Sequence, residues 1–173
     1  MGIVLVGYMG CGKSTVGKRL SEKTGMLLLD ADKEIENKEN RTISEIFATE
    51  GEEYFRRLET EYLVTLKNSD MNFILSTGGG MPVREENRLL LKALGTVFYL
   101  KAGAYTIYSH IKGYTTRPLL QCDDPLAKIK SMLVSREPYY MDAADAVIET
   151  DGKNINAVIN EINEIHNREG TRK

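Results

Sequence analysis

A short segment near the start of the chain narrows the choice of fold more than any other feature. Gly7-Tyr8-Met9-Gly10-Cys11-Gly12-Lys13-Ser14 fits the pattern G-x-x-x-x-G-K-[ST] at every fixed position. An apolar run at residues 3–6 leads into it, and a helical pattern leads out from Ser14. A strand, a glycine loop and a helix in this order make a phosphate cradle. Glycines let backbone N–H groups curl around an anion, and the helix start adds partial positive charge. Gly10, Cys11, Gly12, Lys13, Ser14 and Thr15 are therefore candidate ATP-binding residues. Lys13 is expected to reach the β- and γ-phosphates, and the Ser14 hydroxyl to join a Mg²⁺ shell. A bare tight turn between strand and helix is the plainer alternative, and the agreement of motif with flanks argues against it. Cys11 allows two readings: a thiol made reactive by the helix start, or simply a small residue at a variable position.

The remaining chain alternates short apolar runs with longer amphipathic ones. Strands are expected at residues 3–6, 26–29, 73–76, 97–100 and 146–148, each too short for a helix. Helices are expected at 14–24, 52–67, 84–94, 104–112, 125–136 and 154–167. Gly25 and Gly95 stand where helices stop. Nearly continuous apolar strands alternating with helices predict an α/β fold whose parallel sheet is covered on both faces. A chain of 173 residues suits one domain, 1–173, with a frayed polar tail at about 167–173. The net charge of -2 argues against a general nucleic-acid binder. No apolar run is long enough to span a bilayer. Residues 1–6 do not read as a secretory leader, and Val6 stands where a myristoylation signal needs Ser or Thr. Cys11 and Cys122 match no metal or redox spacing, so a reduced, cytoplasmic protein is expected.

A phosphate loop alone does not choose among kinases, GTPases and motors. Asn37-Lys38-Glu39-Asn40 begins like a guanine-reading N-K-x-D, but it ends in Asn and lies in a charged helical stretch. No D-x-x-G follows a strand. Gly78-Gly79-Gly80 directly follows the strand at 73–76, and bare backbone at a strand's C-terminal end is where ligands bind in open α/β sheets; a flexible turn is the alternative. Asp30 and Asp32, two apart on what reads as an extended segment, would share a side beside the phosphate loop. They suit Mg²⁺ and an acceptor hydroxyl, or alternatively a helix N-cap. Arg56 and Arg57 lie on the helix at 52–67 with Glu59 one turn on, where a surface ion-pair network is the alternative. Arg117 and Arg136 are further candidates, because phosphoryl transfer needs positive charge over the transferring group.

Together these pieces resemble the shikimate kinase family. The resemblance runs from Ile3 to about Ile165. It is carried by the phosphate loop, by Leu28-Leu29-Asp30-Ala31-Asp32, by the stretch from Ser44 to Glu59 that includes Phe55-Arg56-Arg57-Leu58-Glu59, by Ser76-Thr77-Gly78-Gly79-Gly80, by Thr116-Arg117-Pro118-Leu119-Leu120, and by Arg136-Glu137-Pro138-Tyr139-Tyr140. It implies a three-layer α/β/α fold with a five-stranded parallel sheet, of the nucleoside monophosphate kinase type. It further implies an ATP-dependent phosphotransferase that acts on the 3-hydroxyl of shikimate, a step of chorismate and aromatic amino acid biosynthesis, with Mg²⁺ as cofactor.

The resemblance also implies residue roles. Lys13, Asp32 and Arg117 would be catalytic, with Asp32 holding the acceptor hydroxyls as a candidate base. Arg56 and Arg136 would grip the shikimate carboxylate, as arginine forks suit a carboxylate. Gly78, Gly79 and Gly80 would line the acceptor pocket, Phe47 and Phe55 would pack around it, and Glu59 would orient Arg56. Asp30 would help hold Mg²⁺ through water, with Ser14. Arg117 would ride on a lid at about 112–124 that closes over the nucleotide. Where the family often has an arginine against adenine, this chain has His110, which can still stack on the base with a weaker charge; a surface position on an amphipathic helix is the alternative. The implied partners are shikimate and ATP, with no nucleic acid, no membrane and a monomeric state. Two other readings stay open: a related kinase of gluconate or a nucleoside monophosphate, and a non-catalytic domain that senses shikimate or nucleotide.

Overall fold

A computed structural model describes residues 2–69, 71–112 and 123–170. Its strands are β1 (Gly2–Val6), β2 (Leu27–Asp30), β3 (Phe73–Ser76), β4 (Gly95–Lys101) and β5 (Ala146–Glu149). They form one sheet in the order β2-β3-β1-β4-β5, with every pair parallel. The register sets Ile3 beside Ile74 and Thr96, Leu27 beside Phe73, and Phe98 beside Ala146. β1 and β3 are buried along their whole length, as strands covered on both faces must be. The strands start at staggered points but all run the same way, so their C-terminal ends deliver Gly7, Ala31, Thr77 and Ala102 to one edge.

The helices are α1 (Lys13–Thr24), α2 (Ala31–Glu39), α3 (Ile43–Thr49), α4 (Glu52–Lys67), α5 (Glu85–Leu94), α6 (Ala104–Ile111), α7 (Pro125–Ala143) and α8 (Ile155–Gly170), with a 3-10 turn at Met81–Val83. α1 packs against α8 on one face of the sheet, and α5 packs against α7 on the other. The main core runs through both layers, from Ile3, Leu5 and Leu20 to Phe98, Tyr140 and Ile162. A second, smaller core of Ile35, Ile46, Phe55 and Leu58 fastens α2 and α3 to α4. Burying each of these side chains stabilises the fold by about 1.5–3 kcal/mol.

Several local features differ from the sequence expectation, each for a physical reason. β2 sits one residue later than expected, because Met26 lies in the turn that receives the Ser21 hydroxyl. α3 lacked an apolar period long enough to read, although Thr42 and Glu45 form a capping box that marks its start. α7 does not stop at Arg136; it runs through Pro138 to Ala143. Proline frees the carbonyl four residues back, and Val134 is 74% exposed, so water can satisfy that carbonyl. α8 extends to Gly170, past the Asn167 expected as its last residue, since no breaker precedes that glycine.

Candidate active site

The glycine loop between β1 and α1 is shaped by its backbone. Gly7, Gly10 and Gly12 all have positive φ, and Gly12, at φ 103°, begins α1 with no side-chain cap. α1 carries no acidic residue in its first turn, so its N–H groups and dipole meet no fixed anion from their own helix. Lys13 is buried and folds back over the loop. Its Nζ donates to the carbonyls of Gly7 at 2.8 Å and Tyr8 at 3.1 Å, with the Cys11 Sγ at 3.9 Å. Cys11 is itself buried, in keeping with the simpler of its two readings.

Two cavities meet at this loop. The larger, of about 710 Å³, is lined by residues 10–16, by Thr106, His110 and Ile111 of α6, and by Thr150, Gly152, Lys153, Ile155 and Val158 around the start of α8. His110 Nδ1 donates to the Gly10 carbonyl at 2.8 Å, which fixes its proton on that nitrogen and pins the loop to α6. The smaller cavity, of about 410 Å³, shares Gly10, Lys13 and Ser14 with the larger one. Its other walls include Asp30, Asp32, Phe55, Arg56, Glu59, Gly78–Gly80 and Arg136.

The carboxylates reach this cavity by a route the sequence did not reveal. Asp30 ends β2 and caps α2, its Oδ1 accepting from Lys33 N at 3.4 Å, so the N-cap alternative is realised. Asp32 belongs to the first turn of α2 and not to an extended segment. The helical turn, rather than strand alternation, aims it at Gly78, where a Cβ would lie 2.5 Å from Asp32 Oδ1. Burial raises the Asp32 carboxyl above its ordinary range, nearby Asp30 adds to this, and Lys13 opposes it.

α4 contributes the cationic wall. Arg56 donates from Nη1 to Glu59 Oε2 at 2.8 Å, and from Nη2 and Nε to Glu52 Oε1 at 2.8 and 3.2 Å. Burial works against its charge, but the two carboxylates outweigh burial and hold the guanidinium above its usual pKa. Arg57 points outward to Glu61, the surface ion pair expected of one member of the pair. Glu59 is fully buried; burial pushes its carboxyl up to about 7, with Arg56 opposing and Asp32 adding. A side chain at Gly80 would overlap the Arg56 guanidinium, so the glycine leaves that cation open toward the cavity.

α7 closes the far side. Arg136 Nη1 and the Tyr140 hydroxyl both donate to the Gly79 carbonyl, at 3.3 and 2.6 Å. Tyr140 escaped the sequence reading as a site residue, although it ends the motif that Arg136 begins. Thr60 and Asn87 were missed as well, and a polar residue on an otherwise amphipathic helix gives no signal of this kind. The Thr60 hydroxyl donates to Asn87 Oδ1 at 2.7 Å, and Asn87 Nδ2 donates to the Met81 carbonyl at 3.0 Å, tying the glycine strip to α4. Phe55 lines the cavity, while Phe47 is partly exposed beside it and packs its ring against Phe55 with centroids 5.2 Å apart. Arg117 and most of the expected lid, residues 113–122, lie outside the described residues.

The whole arrangement can be set against known proteins. The family model for shikimate kinase matches residues 9–166. The chain belongs to the shikimate kinase family. A shikimate kinase of Symbiobacterium thermophilum is 41% identical, over 99% of each chain. The solved shikimate kinase from Acinetobacter baumannii, in complex with shikimate, superposes with a TM-score of 0.85 at 38% identity, covering 99% of this chain and 94% of that one. Deoxyadenosine kinase from M. mycoides with bound dATP, 17% identical with a TM-score of 0.61 and covering 96% of this chain and 100% of that one, shares the fold alone. The fold is thus the α/β/α arrangement of nucleoside monophosphate kinases, as expected. No described helix is long and apolar enough to cross a membrane.

Proposed function

We propose that this chain transfers the γ-phosphoryl group of ATP to the 3-hydroxyl of shikimate, giving shikimate 3-phosphate and ADP. The observation that carries the proposal is the shared wall: Lys13 and Ser14 line both cavities, and the smaller one brings Arg56 and Arg136 together with Asp30, Asp32 and Glu59. The larger cavity suits a nucleotide, with polar loop amides at one end and Ile155 and Val158 offering an apolar surface to a base. The phosphates take the first-turn N–H groups of α1, and the Lys13 ammonium exchanges its carbonyl partners for phosphate oxygens.

In the smaller cavity, Arg56 and Arg136 clasp the carboxylate of the ring acid. Asp32 accepts a hydrogen bond from the attacking hydroxyl, and the backbone of Gly78, Gly79 and Gly80 leaves room for the ring. The hydroxyl oxygen then attacks phosphorus in line while the bond to the ADP oxygen breaks, and the hydroxyl proton passes toward Asp32. Ser14 and Asp30 are oxygen donors on the same cavity wall and fit a magnesium ion that keeps most of its own waters. When bound, such an ion offsets charge on the β- and γ-phosphates. By resemblance, Arg117 adds a further cation over the transferring group.

On this reading the chain is a single catalytic domain acting as a monomer, and a cytoplasmic location suits its substrates. ADP release with magnesium and ATP, measured with and without shikimate, tests the reading. Shikimate-dependent release is expected. Release that responds to gluconate or a nucleoside monophosphate instead would reassign the acceptor, and nucleotide binding without any release would reduce the chain to a sensor.

A further inference from the structure

The two oxygens of Glu59 are not equivalent. Oε2 is held by Arg56 Nη1 at 2.8 Å, whereas Oε1 is buried and has no hydrogen-bond partner among the described residues. A buried polar atom without a partner is costly, so its persistence calls for an explanation. Glu59 borders the small cavity, and Oε1 lies against the glycine strip, where a Cβ on Gly78 would be 3.1 Å from it. The cation beside Glu59 is also oversubscribed, because Arg56 already serves both Glu52 and Glu59. A guanidinium between two carboxylates has little net attraction left for a third anion.

We propose that Glu59 is itself an acceptor-binding residue and takes up a proton from solvent when the acid binds. Its Oε1–H then donates a hydrogen bond to the bound acid while Oε2 keeps Arg56 in place. This rests on the shikimate reading above. Protonation removes one carboxylate from around Arg56 and gives the orphan oxygen a hydrogen to donate, so one event answers both observations.

The charged groups around Glu59 set the sign. Arg56 on its own helix and Arg84 after the 3-10 turn favour the ionised form. Arg84 is itself paired with Glu53. Asp32 on α2 favours the protonated form, as does burial. Glu52 holds the other side of Arg56, while Lys13 and Arg136 line the same cavity. An incoming carboxylate adds a like charge and competes for Arg56, and both effects raise the proton affinity of Glu59. Its resting value of about 7 leaves it mostly ionised above neutrality, so uptake belongs to the alkaline side.

Calorimetric titration of shikimate into the protein, in buffers of different ionisation enthalpy, tests this. Expected is an uptake of up to about one proton per acid at about pH 8, fading toward zero near about pH 5.5. The acid's KM should rise above neutrality by up to about tenfold per pH unit, with the nucleotide's KM unmoved. Glu59→Gln, which keeps an oxygen for Arg56 and a donor for the ligand, should abolish the uptake and flatten that profile. Binding and turnover in the wild-type protein without proton uptake would overturn the inference alone. Uptake that survives in the Gln variant would move the proton elsewhere and overturn it too. No binding and no turnover would overturn the shikimate reading itself, and this inference with it.

Discussion

Lys13 is buried against two carbonyls of its own loop, and on the proposed reading these are the partners a phosphate would replace. A loop that already folds its cation inward loses little order when the nucleotide arrives, so the charge is preorganised rather than recruited. Lys13→Ala should therefore lower turnover by at least about a hundredfold while leaving circular dichroism unchanged. Gly80 makes a different point at the same scale. Its missing side chain is what exposes Arg56 to the cavity. Gly80→Ala forces that guanidinium aside, a strain of about 1–3 kcal/mol, and should raise the acid's KM by about tenfold or more with the nucleotide's KM unaffected. Steady-state kinetics with each substrate varied in turn will separate the two; an equal rise in both KM values would contradict the assignment.

Among the elements, α3 and α7 shape the smaller cavity, the proposed acceptor site, while most of its charged wall comes from elsewhere. α3 is a short helix whose Ile46 is fully buried in the small core beneath Phe55. Its start depends on Thr42, which accepts from Glu45 N while Glu45 returns the bond to Thr42 N at 2.7 Å. Thr42→Ala should lower unfolding stability by about 1 kcal/mol, read as a fall in the urea midpoint at constant slope. α7 matters through its length. Had it ended at Arg136, Tyr140 would not stand against the Gly79 carbonyl, and the glycine strip would lack its strongest side-chain tie.

Over the whole molecule, the site draws on the stability of the fold. Glu59 is the clearest case, since its carboxyl rises from the ordinary 4.5 to about 7 in the folded protein. A carboxyl with a raised folded pKa favours the folded state most below its unfolded value, and that contribution fades as pH rises through the folded value. The stability of the ligand-free protein relative to Glu59→Gln should thus fall by roughly 3 kcal/mol between about pH 4.5 and 7, then level off. Urea unfolding of both proteins across that range measures it, and parallel pH profiles would refute it. The loss is offset when ligands bind, since occupied cavities stabilise the folded state by mass action.

The sequence alone determined the order and type of the long elements, the sheet's parallel character and the phosphate loop, because hydrophobic period and glycine placement are local properties of the chain. It also marked Arg56, Arg136, Asp32 and the glycine strip as belonging together, through a resemblance in motif order. The tertiary structure alone decided that Asp32 lies in a helical turn, that α7 outlasts its proline, that Phe47 packs against Phe55, and that Asn87 and Tyr140 brace the strip. Each of these depends on contacts between residues distant in sequence, where burial and a single available hydrogen-bond partner override what neighbouring residues prefer.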